Sequence, residues 1–145
     1  MEIENEFTVA RPCSEAWAVL MDIKRIAPCM PGAEITDIVD SNTFRGRMLV
    51  NLGPVAISFG GTAKFQTIDQ NNYQATVAAS GSDPKGRGNA EANIKFSLIE
   101  DGSSSRVKIH TDLQLSGSVA QYGRGAGMIS ALATKLVNEF AKNLD

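Results

Sequence analysis

A chain of 145 residues is long enough for one domain to bury most of its apolar surface without disulfides or a structural metal, and short for two. Its 14 basic and 16 acidic side chains leave a net charge of -2, which excludes the strongly basic footprint of a nucleic-acid binder. Cys13 and Cys29 stand far apart, form no CxxC and are accompanied by a single histidine in the whole chain, so no metal site or redox pair is expected.

The N-terminal run Met1-Glu2-Ile3-Glu4-Asn5-Glu6 is acidic and alternating, the opposite of a secretory leader, and no apolar run approaches the roughly 20 residues that cross a bilayer. A cytoplasmic location is the expectation. Ile3, Phe7 and Val9 fall on one face and Glu2, Glu4, Glu6 and Thr8 on the other, the pattern of a half-buried strand. Pro12 and Ser14 then announce a short helix with Ala16, Trp17, Val19 and Leu20 on its apolar side. Asp22 can cap a second short helix through Ile23 and Ile26, which Pro28 and Pro31 end.

From the Pro31-Gly32 turn to Gly117 the period is two, punctuated by Asp-Ser-Asn, Leu-Gly-Pro, Asp-Gln-Asn-Asn, Pro-Lys-Gly-Arg-Gly and Asp-Gly-Ser. Strands are expected near 34–39, 43–51, 55–68, 72–82, 88–99 and 105–116, which with the first makes a seven-stranded antiparallel meander. Ser118 with Gln121 three residues on fits a capping box, and Ile129, Leu132, Ala133, Leu136, Val137, Phe140 and Leu144 recur at helical spacing. A long amphipathic helix therefore closes the chain. It starts either at this box or later, near Met128, because Gly123, Gly125 and Gly127 each cost about 1 kcal/mol inside a helix.

The fold class that follows is α+β: a curved antiparallel sheet that can bury its apolar face only under that helix. The face carries bulky Phe44, Met48, Val50, Val55, Ile57, Phe59, Phe65, Tyr73, Val77, Ile94, Phe96 and Leu98, but Gly46, Gly61, Ala63, Ala75, Ala79, Ala90 and Ala92 share its registers. Small residues in several adjacent strands either leave a ligand-sized volume or merely let the sheet bend and pack closely. The polar members of that face are Asn5, Asp37, Thr67 and Thr111, so an ionic guest would meet no partner and an apolar one is expected. The expected cavity wall is Met48, Val50, Phe59, Gly61, Ala63, Ala75, Val77, Ala79, Ala92, Ile94 and Phe96, with Ile109 and Leu113 from the last strand and Tyr122, Gly125, Ile129, Leu132 and Leu136 from the helical end. Its expected mouth is Pro31, Lys85, Gly86, Arg87 and Arg124.

Catalytic signals are sparse. His110 falls on the polar face of its strand beside Arg106, Lys108, Asp112 and Gln114, and there is no GxSxG, Walker loop or HExxH. No catalytic residue is expected, although Tyr122 or Arg124 could polarise a ligand carbonyl. Lys85, Arg87 and Arg124 suit a basic rim for a partner or lipid head groups, or are solvated turn residues.

Met30-Pro31-Gly32-Ala33-Glu34 after two short helices, Leu52-Gly53-Pro54-Val55 with Phe59-Gly60-Gly61, Gly81-Ser82-Asp83-Pro84-Lys85-Gly86-Arg87-Gly88 and Gln121-Tyr122-Gly123-Arg124-Gly125 together resemble the carbon-monoxide-dehydrogenase G-subunit family. That family belongs to the START-like, polyketide-cyclase (SRPBCC) superfamily with the helix-grip fold. The resemblance implies a pocket for a hydrophobic guest such as a quinone or lipid. It also implies a non-catalytic role beside a molybdenum-containing dehydrogenase, with peripheral contact at the inner face of the membrane. The alternative it leaves is a cyclase- or hydrolase-like enzyme acting on an aromatic or polyketide substrate.

Overall fold

The first eight residues after Met1 form strand β1 (Glu2–Val9), and the chain then makes helix α1 (Cys13–Leu20), a four-residue helix α2 (Ile23–Ile26) and one 3-10 turn (Ala27–Cys29). Six strands follow in sequence: β2 (Ala33–Asp40), β3 (Thr43–Leu52), β4 (Val55–Asp69), β5 (Gln74–Ser82), β6 (Asn89–Asp101) and β7 (Ser104–Ser116). A 3-10 segment (Gly117–Gly123) leads to the closing helix α3 (Met128–Leu144). The structure, a computed structural model, describes residues 1–52, 55–123 and 127–144.

All seven strands join one antiparallel sheet in the order β1-β7-β6-β5-β4-β3-β2. Consecutive strands pair through short turns, so only β1 needs a long return, and β1 and β2 are left as the two edges. Two β-bulges in β2, between Ile35 and Asp37 and between Ile38 and Asp40, and one in β4, between Phe65 and Thr67, reset the alternation. They move two residues expected on the apolar face. Asp37 stands opposite Arg45, and Thr67 stands opposite Thr76 with their hydroxyls 2.6 Å apart, both on the outer face, because one extra residue flips every side chain that follows it. Tyr73, expected inside a strand, occupies the turn before β5 at φ 53°.

Helix α1 seals one end of the sheet. Trp17 lies 5.8 Å from Tyr73 and 5.9 Å from Phe96, ring centre to ring centre, within a cluster that includes Phe7, Leu20, Ala75, Leu98 and Val107. Helix α3 lies along β1, where Phe140 meets Phe7 edge-on at 5.9 Å and Asn5 Nδ2 donates to Thr134 Oγ1 at 3.4 Å. At its far end Asn143 Nδ2 donates to the Cys29 carbonyl at 2.9 Å, bolting the helix to the 3-10 turn. A second cluster, Ile3, Ile57, Val119 and Ile129 with Val50, Phe59, Leu113 and Leu132 against it, fills the space beneath the start of α3.

The helix does not start at the Ser118–Gln121 capping box. Residues 117–123 are 3-10, and the Ser118 hydroxyl donates to the Arg87 carbonyl at 2.6 Å, holding a distant turn of chain instead of capping a helix. Gly127, at φ 87°, lies just ahead of α3, a conformation that costs glycine little and other residues more.

Candidate ligand cavity

Register brings the small residues of the middle strands into rows. Gly46 of β3 faces Gly61 of β4, Gly61 faces Gly81 of β5, and Gly81 faces Ala90 of β6. In the next row Phe44, Ala63, Ala79 and Ala92 stand side by side. The two kinds of small residue act differently. A Cβ added at Gly61 would lie 1.8 Å from the Ser80 carbonyl oxygen, and one at Gly46 would lie 2.4 Å from that of Glu34. These glycines let neighbouring backbones close in and the sheet curl. The alanines, by contrast, leave volume above the curl.

That volume is a cavity of about 280 Å³, open to solvent on one side, with a lining that is almost wholly apolar. Met48, Phe59, Gly61, Ala63, Ala79 and Ala92 of the expected wall line it. Ile23 of α2, Ala33 and Ile35 of β2, Phe44, Gly46, Gly81 and Ala90 also line it and are absent from the expected set. Glu34, Arg45 and Arg47 contribute from the outer face, since their neighbours Ile35 and Gly46 take the inner one, and the Arg47 guanidinium meets the Glu34 carboxylate at 3.2 Å.

The other expected wall residues lie elsewhere. Ala75, Phe96 and Ile109 belong to the filled cluster around Trp17, with Ala75 only 1% exposed. Val50, Leu113, Ile129 and Leu132 pack in the second cluster. Val77, Ile94 and Leu136 are half-buried and do not line the cavity. The side chain of Tyr122, and Arg124 and Gly125, lie outside the described residues. None of the described residues of α3 lines the cavity; among the described residues the sheet forms it and α2 provides its flank.

Pro31 sits in the turn that leads into β2. Lys85, Gly86 and Arg87 form the β5–β6 turn, which is organised around a buried carboxylate. Asp83, 5% exposed, accepts from Arg87 Nε and from the backbone N–H groups of Lys85 and Arg87, both at 3.1 Å. The Arg87 side chain, together with those backbone donors, holds the Asp83 carboxyl below its ordinary pKa. The same turn docks on the segment before α3. The Val119 N–H and the Ser118 hydroxyl both donate to the Arg87 carbonyl, and Gly88 and Gly117 pass so closely that a Cβ on Gly117 would lie 2.7 Å from the Gly88 Cα. Arg87 is thus a structural clamp of this corner.

On the outer face His110 hydrogen-bonds Glu4 through Nδ1 and approaches Glu2 through Nε2 at 3.5 Å. The Glu4 hydrogen bond, then the nearby carboxylates of Glu4, Glu2 and Asp112, raise its pKa. It ties the edge strand β1 to β7, on the side of the sheet away from the cavity. Among the described residues no cluster of His, Cys, Asp or Glu could hold a metal ion, and no helix is long and apolar enough to cross a membrane.

Alternation and register could have revealed most of this floor, Ile35 included, since the bulge turns out only the residues after it; nothing in a four-residue helix signals that Ile23 faces a cavity.

A seven-stranded antiparallel sheet curved against one long C-terminal helix, with a cavity on its inner face, defines the helix-grip class. Within it the chain belongs to the CoxG family, the G subunits of carbon monoxide dehydrogenase, whose model matches residues 6–145. A sequence comparison with curated proteins found no match. Among solved structures, a conserved protein from Geobacillus kaustophilus superposes with a TM-score of 0.84 at 16% identity, covering 99% of this chain and 92% of that one. The Zhui aromatase/cyclase of Streptomyces sp. R1128 gives 0.67 at 14% identity, covering 99% and 90%. A truncated norcoclaurine synthase from Thalictrum flavum gives 0.60 at 17% identity, covering 98% and 91%. At these identities the likeness is one of fold.

Proposed function

We propose that this protein holds a neutral, hydrophobic molecule of quinone or lipid type in the β3–β6 cavity, as a non-catalytic accessory of a molybdenum-containing dehydrogenase of the carbon monoxide dehydrogenase type. The observation that carries the binding half is the inner wall of that cavity, where the described side chains are Ile, Ala, Phe and Met with glycine between them. Burying an unpaired charge there would cost several kcal/mol or more, whereas each methylene of an apolar guest gains about 0.8 kcal/mol. The accessory half rests on the family, which is described as a dehydrogenase subunit.

Two of the superposed structures are an aromatase/cyclase and a norcoclaurine synthase, which keeps an enzyme as the second reading. Such chemistry needs an acid or base within hydrogen-bond reach of the guest. The described inner wall offers hydrocarbon there.

Native mass spectrometry of the protein purified from its own host, followed by organic extraction, tests the binding half. A stoichiometric apolar adduct is expected, and a reproducibly empty protein that also takes up no quinone would refute it. For the accessory half, Ala79→Phe should block the cavity yet still capture the dehydrogenase in a pull-down if assembly and cargo are separate functions. Loss of capture by this variant would make the guest a condition of assembly.

A further inference from the structure

Ile35 is the single inner-facing residue of the cavity lining that is exposed, at 36%, among the described residues; the other inner-facing ones are buried or half-buried. It lies on β2, an edge strand. The bulge after Ile35 keeps Ile38 on the same face, opposite Phe44, and Ile38 is 46% exposed. An edge strand normally blunts itself with charge; here the bulge sends Asp37 outward and leaves two isoleucines in line with the cavity floor.

Resting on the binding half of the reading above, we infer that the cavity opens across β2 and that its guest is elongated, with a compact apolar head in the cavity and a hydrocarbon chain running out over Ile35 and Ile38. Continuity is the first argument. The rows Ile35-Gly46-Gly61-Gly81 and Ile38-Phe44-Ala63-Ala79 are each one unbroken cross-strand lane from the open edge to the cavity floor. Size is the second: about 280 Å³ is at or below the bottom of the range of roughly 300–1,000 Å³ that encloses a drug-sized ligand, so a longer molecule must project. Charge is the third, because Glu34 and Arg47 satisfy each other on the opposite face and leave the strip to hydrocarbon. The β5–β6 turn, clamped through Asp83, is then a wall of the domain and not its entrance.

A series of straight-chain alcohols from butanol to hexadecanol, displacing the neutral dye N-phenyl-1-naphthylamine, tests this on the intact chain. Affinity should rise by up to about fourfold per methylene while the cavity fills, then by about twofold per methylene over the half-exposed strip. In Ile35→Ser/Ile38→Ser the short alcohols should bind as before, while the long ones lose the strip increments and weaken tenfold or more. Leu49→Ser, an equally exposed position on the outer face of β3, should leave the whole series unchanged. Should the double variant fail to fold by circular dichroism, Ile38→Thr keeps the β-branch and should show a smaller loss of the same kind. Identical increments with and without the isoleucines would overturn the β2 exit alone. Failure of every alcohol and of the dye to bind the natural chain would instead bring down the hydrophobic-guest reading on which it rests.

Discussion

Gly61 and Ala79 occupy neighbouring positions on one face, yet substitution should separate them cleanly. At Gly61 even a methyl group would strike the Ser80 carbonyl, which belongs to the backbone of the paired strand and cannot swing away. Gly61→Ala should therefore lower stability by about 1–3 kcal/mol in a urea titration. Ala79 lines open volume, so Ala79→Phe should cost far less stability while filling the cavity. Ala75→Phe would be a poor substitute, since Ala75 is already enclosed by the Trp17 cluster. His110 behaves as a fastener with its own pH window. Its pKa is raised in the folded state by Glu4 first, then Glu2 and Asp112, with Lys95 as its cross-strand neighbour on β6. The folded chain therefore favours the protonated ring. Its contribution is complete below the unfolded value near 6.5 and fades as pH rises through the folded pKa. The difference in melting temperature between the natural chain and His110→Gln should accordingly be larger at pH 5.5 than at pH 9; a difference that grows with pH would contradict the assignment.

Between β5 and β6 the sequence Asp83-Pro84-Lys85-Gly86-Arg87-Gly88 reads as a turn, and a turn is what forms. Its partner was not legible. Ser118 looks like a helix cap because capping boxes are recognised by local spacing, whereas the competing acceptor, the Arg87 carbonyl, is 31 residues away in sequence. The same limit explains Asp37 and Thr67. Strict alternation puts them inward, and the bulges that turn them out are set by pairing with β3 and β5, which no single strand encodes. The clamp makes two predictions at this scale. Arg87→Ala should speed hydrogen exchange at the Val119 amide by at least tenfold, since that amide's acceptor, the Arg87 carbonyl, sits in the turn that the Arg87 side chain ties to Asp83. Because the Asp83 carboxyl is held below its ordinary pKa, its stabilisation is present at neutral pH and is lost as pH falls below about 4; Asp83→Asn should remove that acid-side dependence.

For the molecule as a whole, strand number, order of elements and the long closing helix follow directly from the period of two giving way to a period near 3.6, and the chemical character of the cavity follows from which registers hold Gly and Ala. Its position does not. Helical spacing at Ile129, Leu132 and Leu136 identifies an apolar stripe without saying whether that stripe roofs a void or fills one, and here Ile129 and Leu132 pack tightly beside Ile57 and Val119. The void instead lies further along the sheet, where glycines curl it and alanines leave room above it. The most direct test is a fluorescence titration of N-phenyl-1-naphthylamine into the natural chain and into Ala79→Phe, with folding checked by circular dichroism. The account predicts saturable one-to-one binding by the natural chain and at least a tenfold loss in the variant. Equal affinity in both proteins, or no saturable binding in either, would contradict the β3–β6 cavity as the binding site.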